Sequence, residues 1–268
     1  MDLFQAIFLA IVQGLTEFLP ISSSGHLIVP AVLFGWADQG LAFDVAVHVG
    51  TLVAVLVYFR KDVIAILNGW FAQVFKRIPS PEAQLGWAVI IGTIPAVIAG
   101  LLMSDLVGTH LRSIEVIAAT SILFGLLLLY SDIKGGKNRT LESINWKVAL
   151  LIGLAQAVAL IPGTSRSGIT ITCALLLGYT RESAARFSFL LSMPTILGAG
   201  LLMSLELVET GETGVWQDLL IGAGFAAISA YICIHWFLKL LDKIGFMPFV
   251  AYRVLFGGLL FWMAYSYV

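Results

Sequence analysis

The chain is predicted to be an all-α integral membrane protein: six transmembrane helices plus two re-entrant helical hairpins, arranged as an inverted-topology repeat. Three observations lead there. Of its 268 residues 59% are hydrophobic and 12% charged, against a charged fraction of about a quarter in soluble domains, and the mean hydropathy is +0.97. Six stretches, about 42–59, 86–104, 114–131, 184–205, 217–238 and 247–267, approach the roughly 20 apolar residues that cross a hydrocarbon core. Two further hydroxyl-rich segments align at one constant offset, Gln13 with Gln156, Ser22 with Ser165, Ser24 with Ser167, Gly25 with Gly168 and Gly35 with Gly178.

Each repeated segment divides into two short apolar halves, 3–18 with 24–36 and 147–161 with 167–179. The divisions fall at Pro20 with its following serines and at Pro162-Gly163, where helices stop. Such irregular backbone is tolerated at membrane depth when it is buried in protein or lines a wet cavity, so both segments read as re-entrant hairpins. The halves of this single membrane domain, about 1–131 and 146–268, then hold one hairpin and three spans each, and the odd number inverts one relative to the other. Later spans echo as well: Ile91-Gly92 with Ile221-Gly222, and Leu123-Phe124-Gly125 with Leu255-Phe256-Gly257. Residues 60–84 read as a loop and 132–145 as a polar joint between the halves.

Lysine and arginine set the orientation. Arg60, Lys61, Lys76, Arg77, Lys134, Lys137, Arg139, Lys147, Lys239 and Lys243 gather on one predicted side, the cytoplasm; the other has Arg112 among Glu206, Glu209, Glu212 and Asp218. Both termini and the mouth of the first hairpin are thus expected outside. Arg186 and Arg253, near the starts of the fourth and sixth spans, read as snorkelling anchors. Trp36, Trp70, Trp87, Trp146, Tyr179, Trp216 and Tyr265 read as the interfacial belt, and Cys173 and Cys233 as small core residues. With Asp2 at the start, and Gln13 and Glu17 interrupting the first apolar run, no cleavable signal peptide is expected. The net charge of −1 carries no information about nucleic acid, and none is expected as a partner.

The polar residues within these apolar stretches carry the chemistry. Gln13 and Glu17, four apart, share a helix face. Together they are candidates to hold a hard divalent cation, Mg2+ or Ca2+, with substrate phosphates completing its shell, or to form a polar pair between helices. After the first break, Ser22, Ser23, Ser24 and His26 offer a nucleophile and a base, and a helix starting there aims free N–H groups at an anion; serines in this position also cap helices. Arg166 at membrane depth needs an anionic partner, and its guanidinium fork matches phosphate bidentately. Ser165, Ser167, Thr170 and the backbone around Gly163 would complete a phosphate cradle, while a Glu17–Arg166 bridge would tie the hairpins together. Asp44 and His48 are further candidates for a metal or proton role. One segment bringing acid and the other base suggests a single site for an anionic, lipidic ligand, used by an enzyme or by a lipid-phosphate or anion transporter with a midplane site.

Gln13-x-x-x-Glu17 followed by Phe18-Leu19-Pro20-x-Ser22-Ser23-Ser24-Gly25-His26, together with Pro162-Gly163-x-Ser165-Arg166-Ser167-Gly168-x-Thr170, closely resembles the bacterial undecaprenyl-diphosphatase family of the bacitracin resistance protein type. The resemblance extends through Phe189 to Pro194 and the closing Pro248-Phe249-x-x-Tyr252-Arg253. It implies a phosphatase at the outer face of the bacterial inner membrane, acting on undecaprenyl diphosphate with a divalent cation and regenerating the monophosphate carrier for peptidoglycan synthesis. Carried over, the functional positions are Gln13, Glu17, Ser23, His26 and Arg166, with Ser165, Ser167 and Thr170 supporting the phosphate. The attacking group is Ser23 or a water, and His26 or Glu17 accepts its proton. The family's first motif position is Glu or Gln; Gln13 here argues against a two-carboxylate metal site.

Overall fold

The computed structural model describes residues 2–36, 39–111, 113–210 and 216–266; Arg112 and Glu212, used above for orientation, lie outside them. Among the described residues the fold is entirely helical. The first broken segment forms α1 (Leu3–Glu17) and α2 (Ser23–Phe34), followed by α3 (Leu41–Tyr58), α4 (Arg60–Lys76), α5 (Pro81–His110) and α6 (Ile114–Lys134). The second forms α7 (Trp146–Val158) and α8 (Arg166–Leu176), followed by α9 (Arg181–Thr210), α10 (Trp216–Ile244) and α11 (Met247–Ser266). Among the described residues six helices, α3, α5, α6, α9, α10 and α11, are long and apolar enough to cross a membrane. The chain is a multi-pass membrane protein.

The two aligned segments also share a backbone feature. Ser22 and Ser165, equivalent in sequence, have φ of 74° and 70°, a conformation non-glycine residues rarely adopt. Beside each, the hydroxyls of Ser22 and Ser24, and of Ser165 and Ser167, lie 3.2 Å apart. Helix packing repeats too: α1 lies along α10 as α7 lies along α5, while α3 meets α9 and α6 meets α11. At one end of the bundle Asp62, Glu82, Glu142, Glu182, Arg186 and Asp242, from five different segments, line a cavity of about 650 Å³.

Four expectations are corrected. Residues 60–76 are a helix, not part of a loop; charges at both ends and Asn68 and Gln73 inside keep its hydropathy below that of a span, and Arg77 closes it at φ 56°. Arg186 is not a free anchor, because α4 brings Asp62 to 2.7 Å from its guanidinium. Tyr179 is fully buried rather than interfacial, donating to the Ser143 carbonyl.

Arg253 departs furthest from expectation. It does not snorkel; it is fully buried and donates to five backbone carbonyls, those of Pro20, Thr120, Ser121, Gly163 and Thr164. Pro20 lies in the first break, Gly163 and Thr164 in the second, and the other two on α6. Gly125 makes room, since a Cβ there would meet the Arg253 stem at 3.1 Å. Hydrogen bonds to a charged donor contribute about 1.5–3 kcal/mol each, which offsets the cost of burying the cation. Ser167 adds a second tie, donating to Leu19 O at 2.8 Å. Methionine at 253 would fill the volume and strand these carbonyls, at about 1–3 kcal/mol for each acceptor left without a donor. Arg253→Met should therefore lower the melting temperature in detergent far more than Arg186→Met, whose half-exposed pair is worth about 0–1 kcal/mol.

Candidate active site

The two breaks meet where α1 ends and where α2 and α8 begin. Glu17, in the last turn of α1, is the hub. Its Oε1 accepts from Arg166 Nη2 at 2.8 Å; its Oε2 accepts from Ser23 Oγ at 2.8 Å and Gln13 Nε2 at 3.0 Å. Both charges are largely buried, with side-chain exposures of 9% for Glu17 and 13% for Arg166, so each depends on the other to offset its desolvation. Arg166 also donates to Ser188 O on α9 at 3.4 Å and lies 5.9 Å from the Phe18 ring centre. Gln13 is fully buried, and its Oε1 has no hydrogen-bond partner.

Sequence candidates divide between this hub and its supports. Gln13, Glu17, Ser23 and Arg166 come together. Ser23 donates its hydroxyl to Glu17, while the ring of His26 is bonded elsewhere. His26 instead bonds the Ser22 carbonyl through Nδ1 and the Tyr252 hydroxyl through Nε2. Ser165 caps α8 by accepting from Gly168 N at 3.1 Å. Ser167 is spent on Leu19 O, and Thr170 on Arg166 O and the Ser188 hydroxyl. Gly163, at φ 84°, gives its carbonyl to Arg253. The hydroxyls expected to cradle phosphate thus brace the second break from within. On the first side Ser22 makes no side-chain cap to α2, and Ser24 is exposed. Asp44 accepts from Gln39 Nε2 at 3.0 Å and His48 bonds the Asp44 carbonyl.

Two supporting residues escaped sequence reasoning. Ser188 reads as one more small residue in an apolar span, while Tyr252 stands in the closing Pro248-Phe249-x-x-Tyr252-Arg253 stretch, where its neighbour's charge drew the attention.

Residues 6–259 match the family described as bacitracin resistance protein BacA. The chain belongs to that family. Among curated members, an undecaprenyl-diphosphatase of Hahella chejuensis is 58% identical over 260 residues, 97% of each chain. One of Saccharophagus degradans is 56% identical over 261 residues, 97% of this chain and 98% of its own. The protein named undecaprenyl-diphosphatase 1 of Pseudoalteromonas translucida is 55% identical over 257 residues, 96% of this chain and 97% of its own.

Removing one member of a buried pair strands the other charge, at about 3–5 kcal/mol, whereas an apolar replacement of both is often nearly neutral. Glu17→Leu should therefore lower stability in detergent markedly, and adding Arg166→Met should recover most of the loss. Additive losses in thermal melts would show that the two charges do not depend on each other.

Proposed function

We propose that this protein hydrolyses undecaprenyl diphosphate to the monophosphate and inorganic phosphate, returning the lipid carrier to peptidoglycan synthesis. Near-full-length identity to relatives named for that activity carries the reading, and the Glu17–Ser23–Arg166 cluster suits its chemistry. The isoprenoid tail stays in hydrocarbon while the diphosphate enters between the breaks. Arg166 exchanges Glu17 for phosphoryl oxygens of the terminal phosphate. Ser23 passes its hydroxyl proton to Glu17 as its oxygen bonds to the terminal phosphorus; the anhydride P–O bond breaks and the lipid monophosphate leaves. Water then cleaves the phosphoserine and inorganic phosphate departs. Little covalent assistance is needed in phosphoryl transfer, so positioning and charge neutralisation supply most of the acceleration.

Glu17 and Gln13 fit a divalent cation, Mg2+ or Ca2+. The unpartnered Gln13 Oε1 is a hard oxygen donor beside a carboxylate, and substrate phosphates with water would complete the shell. Bound there, the ion would neutralise phosphate charge. Among the described residues no group of three or more His, Cys, Asp or Glu gathers that could hold a metal without such help.

The fold reads as two inverted repeats with α1–α2 and α7–α8 as re-entrant hairpins. Phe4 and Phe8 near the start of α1 lie 6.4 and 5.6 Å from Trp36 beyond α2, which brings the ends of the first hairpin together. Tyr179 beyond α8 bonds Ser143 before α7, and this does the same for the second. By the lysine and arginine bias, the end holding the 650 Å³ cavity faces the cytoplasm of a bacterial inner membrane, and the mouth of the first hairpin faces outside.

Purified protein in detergent should release phosphate from undecaprenyl diphosphate, and a chelator should lower the rate. A transporter needs two compartments, so folded protein that releases none would favour transport. Arg166→Lys should lose nearly as much as Arg166→Ala, on the order of the 2.7–4 kcal/mol typical of one lost transition-state donor, because lysine keeps the charge but not the fork. Lysine restoring most of the rate would make Arg166 a charge or tether.

The orientation is tested by single cysteines in a Cys173→Ala, Cys233→Ala background. An impermeant thiol reagent on intact cells should label Glu209→Cys and spare Ile78→Cys; the reverse pattern would contradict the orientation.

A further inference from the structure

His26 stands three residues after Ser23 on α2, and its ring is held on both edges and stacked on α11. Nδ1 lies 2.7 Å from the Ser22 carbonyl oxygen. A carbonyl accepts and never donates, so Nδ1 carries the proton. Nε2 lies 2.6 Å from the Tyr252 hydroxyl oxygen; with Nδ1 protonated, a neutral His26 offers its lone pair there and Tyr252 donates. The imidazole stacks on Phe256 at 4.3 Å and 1° and on Tyr252 at 5.5 Å and 10°. Tyr252 and Phe256 are one turn apart on the helix that also carries Arg253, so the tie that fixes both breaks also fixes the clamp on His26.

This geometry restricts what His26 can do. Titration at Nδ1 would break the bond to Ser22, leaving Nε2 as the nitrogen that gains or loses a proton. In either protonation state its immediate partner is the Tyr252 oxygen. Tyr252 is 43% exposed, whereas the imidazole it bonds is half-buried.

We propose that Tyr252 is a positioning residue of the reaction, through which His26 Nε2 exchanges its proton with the phosphoryl site. The inference rests on the phosphatase reading above. When a water or a phosphate hydroxyl gives a proton to the Tyr252 oxygen, Tyr252 passes its own hydroxyl proton to Nε2. One proton moves inward, imidazolium forms and Tyr252 stays neutral; the reverse returns the proton to product phosphate.

Tyr252→Phe removes the hydroxyl and keeps the stacked rings and the Ser22 bond. In detergent the variant should melt with the parent, keep KM for undecaprenyl diphosphate within about twofold and lose about tenfold in kcat, a part of the 10²–10⁴ that general acid–base catalysis contributes. In protein carrying 15N-histidine, the His26 Nε2 resonance should move toward that of a lone pair without a donor while Nδ1 stays protonated. Parental kcat, or a kcat loss matched by a fall in melting temperature, would overturn the proposal. His26→Gln separates the two levels. If it is impaired and Tyr252→Phe is not, the relay alone fails; if it turns over at the parental rate, the catalytic use of His26 fails and the relay with it.

Discussion

The structure depends on one buried cation fastened to backbone oxygen. Arg253 reaches the carbonyls of Pro20, Gly163 and Thr164 together with two on α6. Two helical segments are broken, and carbonyls buried there without a donor would be costly. A single guanidinium, with five donors in a fixed plane, meets acceptors from both breaks at once. It thereby turns two liabilities into one joint. Gly125 gives its stem room, and Ser167 on Leu19 repeats the tie at the rim.

In the proposed reaction the Glu17–Arg166 pair is a resting arrangement that substrate replaces. Each charge satisfies the other, so the empty site needs no external counter-ion. On that proposal a phosphate that takes Arg166 would leave Glu17 free to receive the Ser23 proton, and binding would arm the base. Carboxylate and guanidinium come from different segments: α1 ends on one and α8 begins on the other, so the pair joins two backbones.

Much of this was legible in the sequence. The spans follow from hydropathy alone, and the offset linking Ser22 with Ser165 marks a shared backbone conformation as well as a shared motif. Glu17, Ser23 and Arg166 stood out because charge and hydroxyls are expensive in an apolar chain. Other features turn on tertiary contact. Arg253 near a span end has the same local sequence whether it snorkels or is buried; the difference lies in Gly125 on α6 and the breaks above it. Helix α4 is amphipathic and charged at both ends, which hydropathy reads as a loop. Ser165, Ser167 and Thr170 suit a phosphate cradle by composition, yet their hydroxyls are taken by neighbours that only the fold supplies.

The central claim is that both breaks hold one phosphate between Ser23 and Arg166. The most direct measurement is an experimental structure with a non-hydrolysable lipid diphosphate bound. The account predicts the terminal phosphate within hydrogen-bond distance of the Arg166 guanidinium and next to Ser23 Oγ, with Glu17 parted from Arg166 and Arg253 still holding both breaks. A phosphate bound elsewhere, with the Glu17–Arg166 contact intact at 2.8 Å, would contradict it.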